Sequence, residues 1–112
     1  MNETLTDLEI DLLGDLASDN HGLWEVFEFA RLHNKSASPA EIFQVGKGLL
    51  KKWGSRGWLE FVTESGAPLN LGNAGEFVAT LDPSAMERKS NSPWIKPTDV
   101  AVRYYKSLPR TA

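Results

Sequence analysis

Apolar positions recur in the first third of the chain at the three- and four-residue spacings of an α-helix. Helix 1 is predicted over residues 6–17, where Thr6 and Glu9 form a capping box that satisfies free backbone N–H groups. Helix 2 is predicted over residues 22–33 and is apolar around more than half of its circumference. Such a helix must be covered on two sides, so we expect it to lie centrally. The polar residues 18–22 predict a turn.

The third helix has the clearest start signal in the sequence. Ser38 is a good N-cap, a proline follows it, and Glu41 completes a second capping box. This helix is predicted over residues 39–54. Its interior contains Gly46 and Gly48, each of which costs about 1 kcal/mol relative to alanine. The pair indicates either close packing against a neighbour or a soft helix.

Beyond the third helix, the pattern changes to short apolar runs separated by turn residues. Strands are predicted over residues 58–64 and 94–97. The connection between them is about 30 residues long, which is unusual in a compact domain, and an inserted helix is predicted within it over residues 73–81. A last helix is predicted over residues 98–108. A strand over residues 100–105 is the alternative there, because β-branched and aromatic residues are concentrated in that stretch.

The order of these elements, with two short motifs, resembles the winged helix-turn-helix superfamily. Residues 49–61 resemble the stretch where the recognition helix ends at a glycine and enters the first wing strand. Residues 95–99 resemble the junction between the second wing strand and a closing helix. The resemblance implies one mainly helical α+β domain over residues 1–112, with a three-helix core and a two-stranded wing. The long connection with its inserted helix departs from that pattern.

The four tryptophans divide into two pairs by their positions in these elements. Trp24 and Trp53 lie on apolar helix faces, so we expect both in the core. Trp58 and Trp94 begin the two predicted strands, and two alternatives are open for them. They face each other across the sheet, or one of them lies in an interface, where tryptophan is enriched.

Charge is unevenly distributed along this chain, whose net charge is −3. The first 30 residues contain eight acids and no lysine or arginine, whereas residues 35–57 carry five bases and one acid, a local charge of +4. A local basic face can bind an anionic partner on an acidic protein. The alternative is that the acidic and basic helices pack side by side and neutralise each other. The acids expected on the exposed side of helix 1 are Asp7, Glu9, Asp11 and Asp15.

The winged-helix resemblance implies that the exposed side of the third helix contacts DNA in the major groove. The predicted DNA-binding residues are Gln44, Lys47, Lys51, Lys52 and Arg56. Glutamine can bind adenine through two hydrogen bonds, and lysine binds guanine or phosphate. The predicted function is a DNA-binding, bacterial-type transcriptional regulator. The alternative is a protein-interaction module on the same frame, whose partner is another protein or a second copy of the chain.

Other classes of function find no support in the sequence. There is no cysteine and no recognisable nucleophile or metal-binding motif, so no catalytic residue, metal, cofactor or small-molecule ligand is predicted. No apolar run approaches the roughly 18 residues of a membrane span. The acidic N-terminus lacks the basic and apolar regions of a signal peptide. We therefore expect a cytoplasmic protein that is not an enzyme and has no membrane partner.

Overall fold

The computed structural model describes residues 5–70, 74–89 and 92–108. It confirms the prediction of a mainly helical α+β chain with a small antiparallel sheet. The helices are α1 (Asp7–Ser18), α2 (Leu23–His33), α3 (Pro39–Ser55), α4 (Ala74–Ala79) and α5 (Asp99–Ser107). A 3₁₀ turn spans Pro83–Met86, and the strands are β1 (His21–Gly22), β2 (Leu59–Val62) and β3 (Trp94–Pro97).

Both predicted capping boxes are present at the starts of α1 and α3. Thr6 Oγ1 accepts a hydrogen bond from the backbone N–H of Glu9 at 3.2 Å, and the Glu9 carboxylate accepts one from the backbone N–H of Thr6 at 3.2 Å. Ser38 and Glu41 make the same reciprocal pair at 3.2 and 3.0 Å. Thr98 caps α5, so the segment for which a strand was the alternative is helical. The predicted ends of α1, α2, α3 and α5 lie within one residue of these bounds, and α4 ends two residues before the predicted residue 81; shifts of this size are usual at helix ends.

The sheet has three strands in the order β1-β3-β2, which corrects the prediction of a two-stranded wing. His21 pairs with Ile95 and Gly22 with Trp94, so the segment predicted as a turn contains a short strand. Two residues are too few to produce an alternating pattern, and this strand forms because β3 offers it a free edge.

The register of β2 and β3 excludes the alternative in which Trp58 and Trp94 face each other across the sheet. In this antiparallel pair Val62 lies opposite Trp94, so the start of one strand is beside the end of the other. Trp94 instead contacts Trp24 edge to face, with ring centroids 5.4 Å apart. Trp58 packs against Trp53, which is fully buried.

The core lies around α2, as its apolar circumference predicts. This helix packs against α1, α3 and the 3₁₀ turn, and the side chains of Val26 and Phe27 are almost fully buried. Phe27 stacks on Phe43 of α3, with ring centroids 5.8 Å apart. The sheet adds Ile95 to the same cluster. The first three helices are thus held together through one apolar centre.

The described part of the long connection after β2 includes a helix that packs beside α3. The chain turns back over residues 63–67, and the N–H of Leu69 donates to the carbonyl of Phe61 at 3.0 Å. Helix α4 falls within the predicted range 73–81, of which residues 71–73 lie outside the described part of the chain. It packs against α3, and Phe77 contacts Phe61 edge to face at 4.8 Å.

The two interior glycines of α3 have different surroundings. A Cβ atom at Gly46 would lie 2.5 Å from Cδ1 and 2.6 Å from Cε1 of Phe27. A Cβ atom at Gly48 would meet nothing within 4 Å. Close packing therefore explains Gly46, whereas Gly48 lies on the exposed side of the helix.

We expect Gly46→Ala to lower the free energy of unfolding by about 1–3 kcal/mol, because Phe27 is fixed between two helices and cannot move aside cheaply. Gly48→Ala is the matched control, and it should raise the free energy of unfolding by about 0.5–1 kcal/mol through better helix propensity. Urea unfolding of the two variants measures both values. Equal effects of the two substitutions would contradict the packing described for Gly46.

Candidate functional site

The predicted contact residues lie on α3 and at its C-terminal cap, but they are not equally available. Gln44 and Lys51 are exposed, whereas Lys47, Lys52 and Arg56 are half-buried. The difference arises from what packs beside the helix. Helix α4 lies along one flank of α3, and a side chain of α1 reaches the other.

Lys47 is held by the inserted segment. Its Nζ donates to the carbonyl oxygen of Leu81 at 3.1 Å and to that of Ala79 at 3.4 Å. Its ammonium group also lies 5.4 Å from the ring centroid of Phe43. Carbonyl groups at the end of a helix lack intrahelical partners, so a lysine is a suitable donor for them. Lys47 therefore links α3 to the last residue of α4 and to Leu81 just beyond it.

Lys52 is held by Glu9 of α1. Its Nζ lies 3.1 Å from both carboxylate oxygens, and the indole N–H of Trp53 donates to Glu9 Oε2 at 2.9 Å. Glu9 is only 4% exposed, which corrects the prediction that it lies on the solvent side of helix 1. The carboxylate is drawn inward because a buried indole N–H needs an acceptor.

The hydrogen bonds of Glu9 decide its ionisation. Burial by itself raises the pKa of this carboxyl group, but hydrogen bonds from Trp53, Thr6 and Lys52, together with the charge of Lys52, outweigh it. The pKa of Glu9 is therefore held below its ordinary value of 4.5. Glu9 thus stays ionised in the folded protein and keeps Lys52 beside it.

Arg56 lies where α3 ends and the chain turns toward β2. Its guanidinium carbon is 5.2 Å from the ring centroid of Trp58, and its backbone N–H donates to the carbonyl of Lys52 at 3.3 Å. Trp58 in turn packs on Tyr104 of α5 at 5.0 Å. The stacking on Trp58 places the Arg56 side chain at the end of the helix and away from its exposed row.

The structure therefore divides the five predicted residues into three groups. Gln44 and Lys51 share one exposed row of α3, on which Gly48 lies between them. Lys47 and Lys52 are hydrogen-bonded to neighbours on opposite flanks, and Arg56 lies at the C-terminal end of the helix. We call the row of Gln44, Gly48 and Lys51 the outer face of α3.

A second candidate site, which the sequence did not predict, lies at the end of the sheet where β2 finishes and β3 begins. It is an open cleft of about 800 Å³. Its walls include Trp24, Trp94 and Arg88, and the Arg88 guanidinium lies 5.0 Å from the ring centroid of Trp24. These residues are far apart along the chain, so no local pattern signals their meeting. The adjacent bases Arg88 and Lys89 are the sequence feature that could have indicated an anion-binding site here.

Among residues 5–70, 74–89 and 92–108, no group of three or more histidine and acidic side chains is placed to hold a metal ion. Within the same residues, no helix is both long enough and apolar enough to cross a membrane. Comparison with known protein families, with curated proteins and with solved structures finds no match to this chain.

We expect Glu9→Gln to lower the free energy of unfolding at neutral pH by about 1–3 kcal/mol, because it weakens a buried acceptor of charge-assisted hydrogen bonds. The stabilisation from Glu9 is fully present above its ordinary value of 4.5 and is lost as the pH falls through the lowered pKa. The variant should therefore lose less stability than the wild type on acidification below that value. Urea unfolding at a series of pH values measures both effects.

Glu28→Gln is the control for this experiment, since Glu28 is an exposed glutamate on α2. We expect it to change stability by no more than about 0.5 kcal/mol. If Glu9→Gln matched this control at neutral pH and in acid, the buried network would have no energetic importance.

Proposed function

We propose that this protein binds double-stranded DNA through the outer face of α3, on a winged-helix-like frame. The order of the elements supports the frame. Three helices precede β2, β3 lies between β1 and β2 in the sheet, and α5 follows β3 at once. In such a frame, the third helix is the element that presents side chains to the major groove.

The observation that carries the proposal is that the outer face of α3 is uncovered while both flanks are held. Gln44, Gly48 and Lys51 are exposed, and a Cβ atom at Gly48 would meet nothing within 4 Å. A helix with its side chains is about 10–12 Å across. The major groove is about 12 Å wide, so an uncovered helix face of this kind fits within it.

The proposal gives the predicted residues different roles. Gln44 is placed to reach a base edge, and Lys51 contacts guanine or a phosphate. Arg56, at the helix end, is the flanking phosphate contact. Lys47 and Lys52 act first in holding α4 and α1, and they add positive potential to the surface.

Glu41 determines which half of α3 approaches the phosphates. Hydrogen bonds from the backbone and the side chain of Ser38 hold the pKa of Glu41 below its ordinary value, so it is ionised at neutral pH. An ionised carboxylate near the N-terminal end of α3 repels phosphate. We therefore place the phosphate contacts near Lys51 and Arg56, and we infer binding that is mostly electrostatic.

The alternative of a protein-interaction module depended on the uncompensated acids of the first 30 residues. Several of them have partners within the molecule. Glu9 pairs with Lys52, Asp11 Oδ2 lies 3.0 Å from His33 Nε2, and Glu25 Oε2 lies 2.9 Å from His21 Nδ1. These three carboxylates thus have hydrogen-bond partners inside the molecule, and Glu9 is also paired with a cation, which weakens the support for an acidic docking surface.

We expect Lys51→Ala to weaken binding to a short DNA duplex about equally for different sequences. It should also reduce the slope of log affinity against log salt by about one unit, because one phosphate contact is lost. Fluorescence anisotropy titrations starting at about 50 mM salt measure both quantities. Lys106→Ala is the control, since Lys106 is an exposed lysine on α5. Gln44→Ala should change the preference among duplex sequences more than the salt slope.

Two results would contradict the proposal. One is the absence of wild-type binding at about 50 mM salt, where electrostatic contacts are strongest. The other is an equal loss of affinity in Lys51→Ala and Lys106→Ala, which would show that the charge of the whole protein matters and the outer face of α3 does not.

A further inference from the structure

The cleft at the end of the sheet has two indole rings as adjacent walls. The rings of Trp24 and Trp94 lie at 89° to each other. Trp24 is 7% exposed, whereas Trp94 is half-buried and presents part of its ring to the cleft. A half-buried indole beside an open volume provides a surface on which a planar ring can stack.

Positive charge lies on the same cleft. The Arg88 guanidinium lies over the ring of Trp24, and the next residue, Lys89, also lines the cleft. Arg88 also lies 3.9 Å from a carboxylate oxygen of Glu64, but both side chains are about two-thirds exposed or more. An ion pair this long and exposed contributes little, so Arg88 can exchange it for a ligand phosphate at small cost.

Three hydroxyl groups, one apolar side chain and the Glu64 carboxylate also line the cleft. Thr63 Oγ1 and Ser65 Oγ are 2.9 Å apart, and Ser92 Oγ accepts a hydrogen bond from the backbone N–H of Lys89 at 2.8 Å. Each hydroxyl group can make more than one hydrogen bond, so these groups hold the turns and can still contact a ligand. The volume of about 800 Å³ lies within the usual range for small-molecule sites.

We propose that this cleft binds one nucleotide unit, with its base against Trp94 and its phosphate on Arg88 and Lys89. The combination of a ring surface, two adjacent cations and hydroxyl donors matches the three parts of a nucleotide. The nucleotide is either a free mononucleotide or an unpaired nucleotide of a single strand, since the two share this chemistry. The cleft contains no residue of α3, so this inference does not rest on the proposed binding of duplex DNA.

Nuclear magnetic resonance of the indole N–H groups tests the proposal directly. The chain has four tryptophans, and each gives one such signal. Adenosine monophosphate and a short oligothymidylate are the two probes, titrated separately. We expect the signals of Trp24 and Trp94 to shift with a dissociation constant below about 1 mM for at least one probe. The signal of Trp53, which is bonded to Glu9 in the core, should stay in place.

Variants of the cleft separate the base contact from the phosphate contact. The double variant Arg88→Ala/Lys89→Ala should weaken binding about tenfold or more, because two charge-assisted contacts are lost. Trp94→Leu should weaken it about tenfold through loss of stacking. The matched control is Arg103→Ala/Lys106→Ala, which removes two exposed cations from α5 and should leave binding unchanged. If Trp94→Leu fails to fold, the surface double variant still decides the outcome.

A shift with adenosine monophosphate supports the proposal and assigns a free nucleotide, whereas a shift with the oligonucleotide alone supports it and assigns a strand. The proposal is overturned if neither probe shifts the Trp24 and Trp94 signals at concentrations up to about 10 mM. It is also overturned if Arg88→Ala/Lys89→Ala binds as tightly as the wild type. Inorganic phosphate that binds as tightly as adenosine monophosphate would exclude a base contact and so overturn it as well.

Discussion

The carboxylate of Glu9 joins α1 to α3, and the composition of the candidate DNA-binding surface depends on it. Glu9 accepts hydrogen bonds from the indole of Trp53 and from Lys52, and it also caps its own helix at Thr6. Without this acceptor, a buried indole N–H would lack a partner, at a cost of about 1–3 kcal/mol. The same contact directs Lys52 toward α1. This stabilising contact thus keeps Lys52 on the flank of α3 that faces α1.

The opposite flank of α3 shows the same competition between folding and binding. Lys47 donates to the carbonyl groups of Ala79 and Leu81, at and just beyond the end of α4. A second lysine of the predicted DNA-binding set is therefore bound by the inserted segment. What remains is a narrow outer face with Gln44 and Lys51. A helix that is basic in sequence therefore need not present a basic face. A lysine side chain is long enough to reach a neighbouring helix, and Lys47 and Lys52 do so.

The helices could be predicted from local sequence signals, whereas the contacts between residues distant in sequence could not be predicted. The capping boxes at Thr6 and Ser38 involve residues three apart, and the apolar periods follow from the helix itself. The short strand β1 has no pattern of its own and forms only beside β3. The sequence identifies Glu9 only as a capping residue, because no local pattern predicts its hydrogen bond with the distant Trp53. The cleft likewise joins Trp24 to Trp94 through the fold, so sequence spacing could not predict it.

The long connection between β2 and β3 links the two candidate sites. Its middle part, α4 and the residues up to Leu81, lies against α3 and binds Lys47, while its last part brings Arg88 and Lys89 to the cleft. A short wing would leave Lys47 without these carbonyl partners and would supply no cations beside Trp24. The insertion therefore binds one cation of α3 and brings two further cations to the far end of the sheet. The two proposed binding surfaces of this acidic chain therefore take their cations from different segments, α3 for one and the insertion for the other.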